Sequence, residues 1–98
     1  QPHLYTRTRD FYQEFADSLS LLDEVILTEI YPAREEPIPG ISSELIYNHL
    51  RSDMEKCICK KENLIETLSK KDIEVLITLG AGDIDNYVPQ ICELLNKR

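Results

Sequence analysis

Val25-Ile26-Leu27-Thr28-Glu29-Ile30 is the stretch on which the fold turns. A strand with one wet face alternates apolar and polar residues; this run is nearly continuous in its apolar character, which predicts a strand buried on both faces, as in a parallel sheet. Asp23-Glu24 lead into it and Tyr31-Pro32 end it. On its N-terminal side, Phe11, Phe15, Leu19 and Leu22 recur at helical spacing, predicting a helix from Thr6 or Thr8 to about Leu22. Thr6 and Thr8 are its candidate N-caps, and Asp10 and Glu14 suit the positive end of its dipole. On the C-terminal side, Pro32, Pro37, Pro39 and Gly40 mark a loop, and Ser42 or Ser43 caps a helix running through Glu44, Leu45, Ile46, His49 and Leu50.

Further along, Lys56-Cys57-Ile58-Cys59 reads as a short strand. Residues 62–71 read as a helix with Leu64, Ile65 and Leu68 inward, and Ile73-Glu74-Val75-Leu76-Ile77-Thr78-Leu79 as the clearest strand. Gly80-Ala81-Gly82 breaks it. A last helix then shows Ile84, Tyr87, Val88, Ile91, Cys92 and Leu95 at spacings of three and four, with Lys97 and Arg98 at the end where cations suit the dipole. Helix and strand alternate throughout, which implies right-handed crossovers and a mostly parallel α/β sheet covered on both faces. An α/β domain usually begins with a strand, and Gln1-Pro2-His3 reads as a strand exit. The first strand is therefore expected upstream of Gln1, in a larger protein. No internal repeat or low-complexity tract occurs.

Residues 1–98 make one domain with room for a modest core. A hydrophobic content of 42% with 30% charged residues fits a soluble globular protein, expected in the cytoplasm. The net charge of −7 argues against nucleic-acid binding, which needs basic patches to neutralise phosphates. No apolar run approaches the ~20 residues needed to cross a bilayer, so no membrane insertion is expected, and no secretory pattern opens the chain. The cysteines are Cys57, Cys59 and Cys92. Their spacing is not that of a zinc site, and they read as reduced structural thiols.

Against this acidic background, His3, Arg7 and Arg9 crowd with Thr6 and Thr8 just before a helix. Such a cluster suits one anionic group, a carboxylate or a phosphate, because helix N–H groups and the dipole add to the arginine charge. Two solvated arginines beside an ordinary first turn are the plainer alternative. Gly80-Ala81-Gly82 after a strand opens either a backbone-lined crevice or a tight strand-to-helix turn. Position 85 is Asp85 where a dinucleotide fingerprint has glycine, and Asp83 and Asp85 repel phosphate. Glu29, Arg34, Glu35 and Glu36 surround the exit of the central strand, as a site rim or as a solvated loop. His49 lies on a predicted helix, at the surface or in packing. No G-x-x-x-x-G-K-S/T phosphate loop and no G-x-S-x-G elbow occurs.

Three blocks carry a resemblance: Gln1-Pro2-His3-Leu4-Tyr5-Thr6-Arg7-Thr8-Arg9-Asp10, Glu29-Ile30-Tyr31-Pro32-Ala33-Arg34-Glu35-Glu36-Pro37-Ile38, and Gly80-Ala81-Gly82-Asp83-Ile84. Together they resemble the C-terminal domain of the Mur ligase family, in the branch that adds the first amino acid of peptidoglycan precursors. The resemblance implies a Rossmann-like, three-layer domain that closes over a site built with an N-terminal UDP-sugar domain and a central ATP domain. It implies ATP and Mg2+, held mainly outside residues 1–98, with UDP-N-acetylmuramate and L-alanine as substrates. It assigns His3 and Arg7 to binding L-alanine, and leaves Thr6, Arg34, Glu35, Gly80 and Gly82 at the periphery. Some members carry arginine where this chain has Leu4. No catalytic residue is expected within the segment, which would have no ligase or ATPase activity alone. A Mur ligase for a different amino acid, and a stand-alone α/β binding module, are the alternatives.

Overall fold

A computed structural model describes residues 1–97. Its elements run α1 (Tyr5–Leu19), β1 (Glu24–Leu27), α2 (Ser43–Tyr47), β2 (Glu55–Ile58), α3 (Leu64–Ser69) and α4 (Val88–Asn96), with single 3-10 turns at Lys61–Asn63 and Asp83–Tyr87. β1 and β2 pair in parallel, from Glu24 opposite Glu55 to Leu27 opposite Ile58, and α2 lies in the connection between them. The fold is thus α/β, with a parallel two-stranded sheet among the described residues.

The continuous apolar run of β1 has a direct structural consequence. Val25 and Leu27 enter one core with Ala16, Ile46, Leu50 and Met54, from α1, α2 and the approach to β2. Ile26 packs against a second core of Leu64, Leu68, Ile84 and Ile91. One short strand therefore has helical segments on each of its faces. Each fully buried aliphatic side chain contributes on the order of 1.5–3 kcal/mol. Ser42 caps α2 as the sequence predicts, its hydroxyl accepting from Glu44 N at 3.3 Å.

Four expectations are corrected. Helix α1 begins at Tyr5, and the face it buries runs through Thr8, Tyr12, Ala16 and Leu19. Phe11 and Phe15 are 46% and 37% exposed. Ala16 is fully covered, so the small side chain marks where α1 packs most closely and sets the rotation of the helix. Neither threonine is the N-cap. That position falls to Leu4, at φ 70°, with no side-chain cap, while Thr8 is buried with its hydroxyl donating to the Leu4 carbonyl at 3.0 Å. The last helix is also split. Pro89 sits in the first turn of α4, where a missing N–H costs nothing, and Leu94 packs inward while Cys92 is exposed. Lys97 pairs with Glu93 at 3.0 Å, and Arg98 lies outside the described residues.

The largest correction concerns Ile73–Leu79, which forms no strand. Val75, Ile77 and Leu79 are 81%, 62% and 56% exposed. β-branched residues favour a pleated surface only where a neighbouring strand supplies hydrogen bonds and cover. A groove of ≈ 910 Å³ is lined by Val25–Thr28 on one side and Ile73–Leu79 on the other. Only Ile73 and Leu76 of this segment pack against the second core.

The packing predicts a clear contrast. Leu68, 1% exposed, lies deep in the second core, whereas Leu21 is 87% exposed. In the full-length protein, Leu68→Ala should cost about 2–5 kcal/mol in denaturant unfolding, and Leu21→Ala no more than about 0.5 kcal/mol. Equal effects would contradict this core.

Candidate functional site

Ligands of open α/β sheets gather beyond the C-terminal ends of the strands. In this protein the N-terminal residues are pinned at that end. His3 bridges Tyr31 in parallel, Tyr31 N donates to the Pro2 carbonyl at 2.8 Å, and Leu4 N donates to the Tyr31 carbonyl at 2.8 Å. On the other side, the backbone nitrogen of Gln1 donates to the Leu79 carbonyl at 2.8 Å. The exits of β1 and of residues 73–79 are thus held together through residues 1–4.

Close contacts follow from that pairing. The His3 and Tyr31 rings stack at 5.8 Å between centroids and 14° between planes. Tyr31 lies over Gly82 so closely that a Cβ there would clash with Tyr31 Cγ and sit 2.8 Å from Gln1 Oε1. Glycine at position 82 is a requirement of close approach. Gly80 lies beside Gln1 and Ile84. The Gln1 side chain donates to Asp83 Oδ1 at 2.6 Å and accepts from Ile84 N at 3.1 Å, and Lys61 Nζ meets Asp83 Oδ2 at 2.6 Å. His3, Gly80 and Gly82 therefore come together at one edge, although widely separated in sequence.

The basic cluster read from the sequence disperses. Arg9 pairs with its neighbour Asp10 at 2.8 Å, and Arg7 is exposed along the groove that Gln1, Pro2 and His3 also line; Arg34, of the separate loop set, is exposed after Tyr31. The N-terminus of α1 is occupied from within the chain. The Glu35 carboxylate accepts from Thr6 N at 3.1 Å and from the Thr6 hydroxyl at 2.5 Å. Bonds from the Thr6 hydroxyl, then from the Thr6 and Tyr5 N–H groups, hold the Glu35 carboxyl below its usual range. Thr6 and Glu35 therefore serve as an internal cap. Of the sequence cluster, Arg7 is the cation left facing the groove without a described ion-pair partner.

The residues sequence reading missed are Tyr31, Gln1 and Lys61, whose roles depend on contacts across the fold. Asp83 was visible in the sequence as a repeller of phosphate, and it is engaged by Lys61 and Gln1. With Tyr31 covering Gly82, the glycine turn offers no open cradle of N–H groups. Among the described residues no three His, Cys, Asp or Glu side chains are grouped to hold a metal ion. Burial pushes the Cys57 and Cys59 thiols up, disfavouring the thiolate. No described helix is long and apolar enough to cross a membrane.

No protein-family model matches the chain. Over all of its residues it is 79% identical to the UDP-N-acetylmuramate–L-alanine ligase of Phocaeicola vulgatus. It is 54% identical to the ligase of that name from Parabacteroides distasonis, and 52% to that from Cytophaga hutchinsonii, again over its full length. The chain is a homologue of part of these ligases. It spans 21% of the length of each, about a fifth. The matched stretch includes all three sequence blocks that the fold brings to the strand exits.

The internal cap predicts a pH-dependent effect. A carboxyl held below its ordinary value contributes stability that is present above that value and lost as pH falls through the folded one. In full-length protein, Glu35→Gln should lower Tm near neutral pH, with the deficit shrinking as pH drops below roughly 4. A deficit independent of pH would show that the charge of Glu35 contributes nothing.

Proposed function

We propose that this chain is the C-terminal, substrate-closing domain of an ATP-dependent ligase that joins L-alanine to UDP-N-acetylmuramate in peptidoglycan precursor synthesis, in the cytoplasm. The observation that carries this reading is the 79% identity, over every residue of the chain, to a ligase of that name. In the reaction, the muramyl carboxylate is activated as an acyl phosphate and the amine of L-alanine attacks it. ATP and Mg2+ would be held by a central domain and the UDP-sugar by an N-terminal one. Residues 1–98 would supply one wall of the pocket, brought over the nucleotide domain by closure.

His3 and Arg7 would hold the incoming amino acid. Arg7 is the group suited to its carboxylate: it is exposed beside Gln1, Pro2 and His3, it has no ion-pair partner among the described residues, and its guanidinium can grip a carboxylate with two parallel bonds. His3, fixed by the Tyr31 stack, would border the same space. Holding the carboxylate leaves the amine free to approach the acyl phosphate, so the contribution of this domain is orientation. Thr6, Arg34, Glu35, Gly80 and Gly82 frame the site, with Thr6 and Glu35 engaged to each other.

The same proposal completes the sheet as a Rossmann-like, three-layer domain. The parallel bridge of His3 to Tyr31, continued backward in register, would carry a polypeptide entering Gln1 alongside Thr28 to Val25. That path lies in the groove between β1 and residues 73–79. A strand there would cover Val75 and Ile77 and meet Thr28 Oγ1, a buried hydroxyl without a partner among the described residues. A strand so placed is expected to be apolar on both faces.

Two outcomes test the proposal in full-length protein. Arg7→Ala should raise KM for L-alanine by roughly ten- to a hundredfold, the loss of a charge-assisted contact worth about 1.5–3 kcal/mol, with KM for ATP and UDP-N-acetylmuramate near wild type. An unchanged KM for L-alanine would refute the role of Arg7. Separately, Ile77→Asp should lower Tm as a core substitution does, whereas Leu21→Asp should not. If the two are equally mild, no strand fills the groove.

A further inference from the structure

The stack of His3 on Tyr31 does not stand by itself. Tyr31 rests on Gly82, which is possible only while the turn of residues 80–83 stays where it is. That turn is held by Asp83, whose two carboxylate oxygens are both engaged. Oδ1 accepts from Gln1 Nε2 at 2.6 Å and Oδ2 from Lys61 Nζ at 2.6 Å. Gln1 closes the ring of contacts by accepting from Ile84 N at 3.1 Å. Lys61 also lies 6.0 Å from the centroid of the Tyr31 ring, within reach of a cation–π attraction.

Lys61 and Asp83 are 21% and 33% exposed at their side chains, so the pair is screened less than a surface pair. The hydrogen bond between them raises the affinity of Lys61 for its proton and holds the Asp83 carboxyl down, so both are charged across the neutral range. Lys61 opens the 3-10 turn that follows β2. It therefore ties the exit of β2 to the turn after residues 73–79, while residues 1–4 tie that turn to the exit of β1. All the chain exits at this edge are thereby linked, with the His3 ring at one end of the linkage.

We propose that Lys61 is a positioning residue for the amino-acid pocket: by clasping Asp83 it fixes Gly82 under Tyr31, and through Tyr31 it fixes the ring of His3. Lys61 itself touches no substrate. It acts through three intervening residues, and its loss frees the turn to shift and the His3–Tyr31 stack to move with it. The inference rests on the reading of His3 as an L-alanine contact.

The test is steady-state kinetics on full-length enzyme carrying Lys61→Met, Lys61→Arg, Asp83→Asn, the Lys61→Met/Asp83→Asn double variant, and His3→Ala. Lys61→Met should raise KM for L-alanine roughly tenfold, since misplacement of about 1 Å can cost up to a hundredfold. KM for ATP and for UDP-N-acetylmuramate should stay near wild type. Lys61→Arg, which keeps the ion pair, should restore most of the loss. The double variant should be no worse than the poorer single one, as expected of two residues acting as a unit. A purely structural role would lower activity toward all three substrates together and would not be sorted this way. Should Lys61→Met fail to fold, Asp83→Asn carries the same expectation. Unchanged KM for L-alanine in the Lys61 and Asp83 variants, with a raised KM in His3→Ala, overturns the inference alone. No effect in His3→Ala overturns the functional reading beneath it.

Discussion

A strand with no polar face is the constraint from which the rest of this structure follows. Val25, Ile26 and Leu27 cannot be satisfied by one layer of helix, because successive side chains point to opposite sides. Val25 and Leu27 pack with α1 and α2, and Ile26 with the group centred on α3 and α4. The parallel partner β2 is the natural mate for such a strand, since parallel pairing needs a crossover, and the crossover brings α2 to one face. With helices committed to both faces, the ends of the strands are the places left open for chemistry.

At those ends the chain is tied by backbone before it is tied by side chains. Residues 1–4 bond to Tyr31 on one flank and to Leu79 on the other, so the first block of sequence lies between the exit of β1 and the end of the 73–79 segment. The tight seat of Tyr31 on Gly82 and the stack with His3 are consequences of that placement. The arrangement is demanding of residue type: a methyl group at position 82 would meet the tyrosine ring. It is also demanding of charge: Glu35 already fills the N-terminus of α1, and Arg7 lines the groove with no ion-pair partner among the described residues.

The groove between β1 and residues 73–79 explains why one apolar run formed a strand and another did not. Both runs are rich in β-branched residues. Glu24–Leu27 meets β2 at ladder distance, whereas Ile73–Leu79 faces an open groove and leaves Val75 and Ile77 in solvent. Hydrogen bonding and cover, which a strand draws from its neighbours, made the difference.

Much of the fold and part of the site were legible in the sequence, and the boundary between the two has a physical basis. Local signals sufficed where one residue or one period decides. The apolar run at Val25 marked a strand, with one face buried and Ile26 on the other packed only in part; Ser42 marked a helix start, Pro37 and Pro39 marked a loop, and the blocks around His3, Tyr31 and Gly80 carried the relationship to the ligases. Tertiary structure decided whatever depends on a partner distant in the chain. The rotation of α1 follows Ala16 against the sheet and not the spacing of its phenylalanines. The cap of α1 is Glu35 and not a threonine, because the loop after Tyr31 delivers a carboxylate to that helix end. Lys61 reached Asp83, and Gly82 acquired its necessity from Tyr31, only once the strand exits were drawn together. A sequence states periodicity and residue chemistry; which groups meet across the sheet is settled by the close packing of its folded faces.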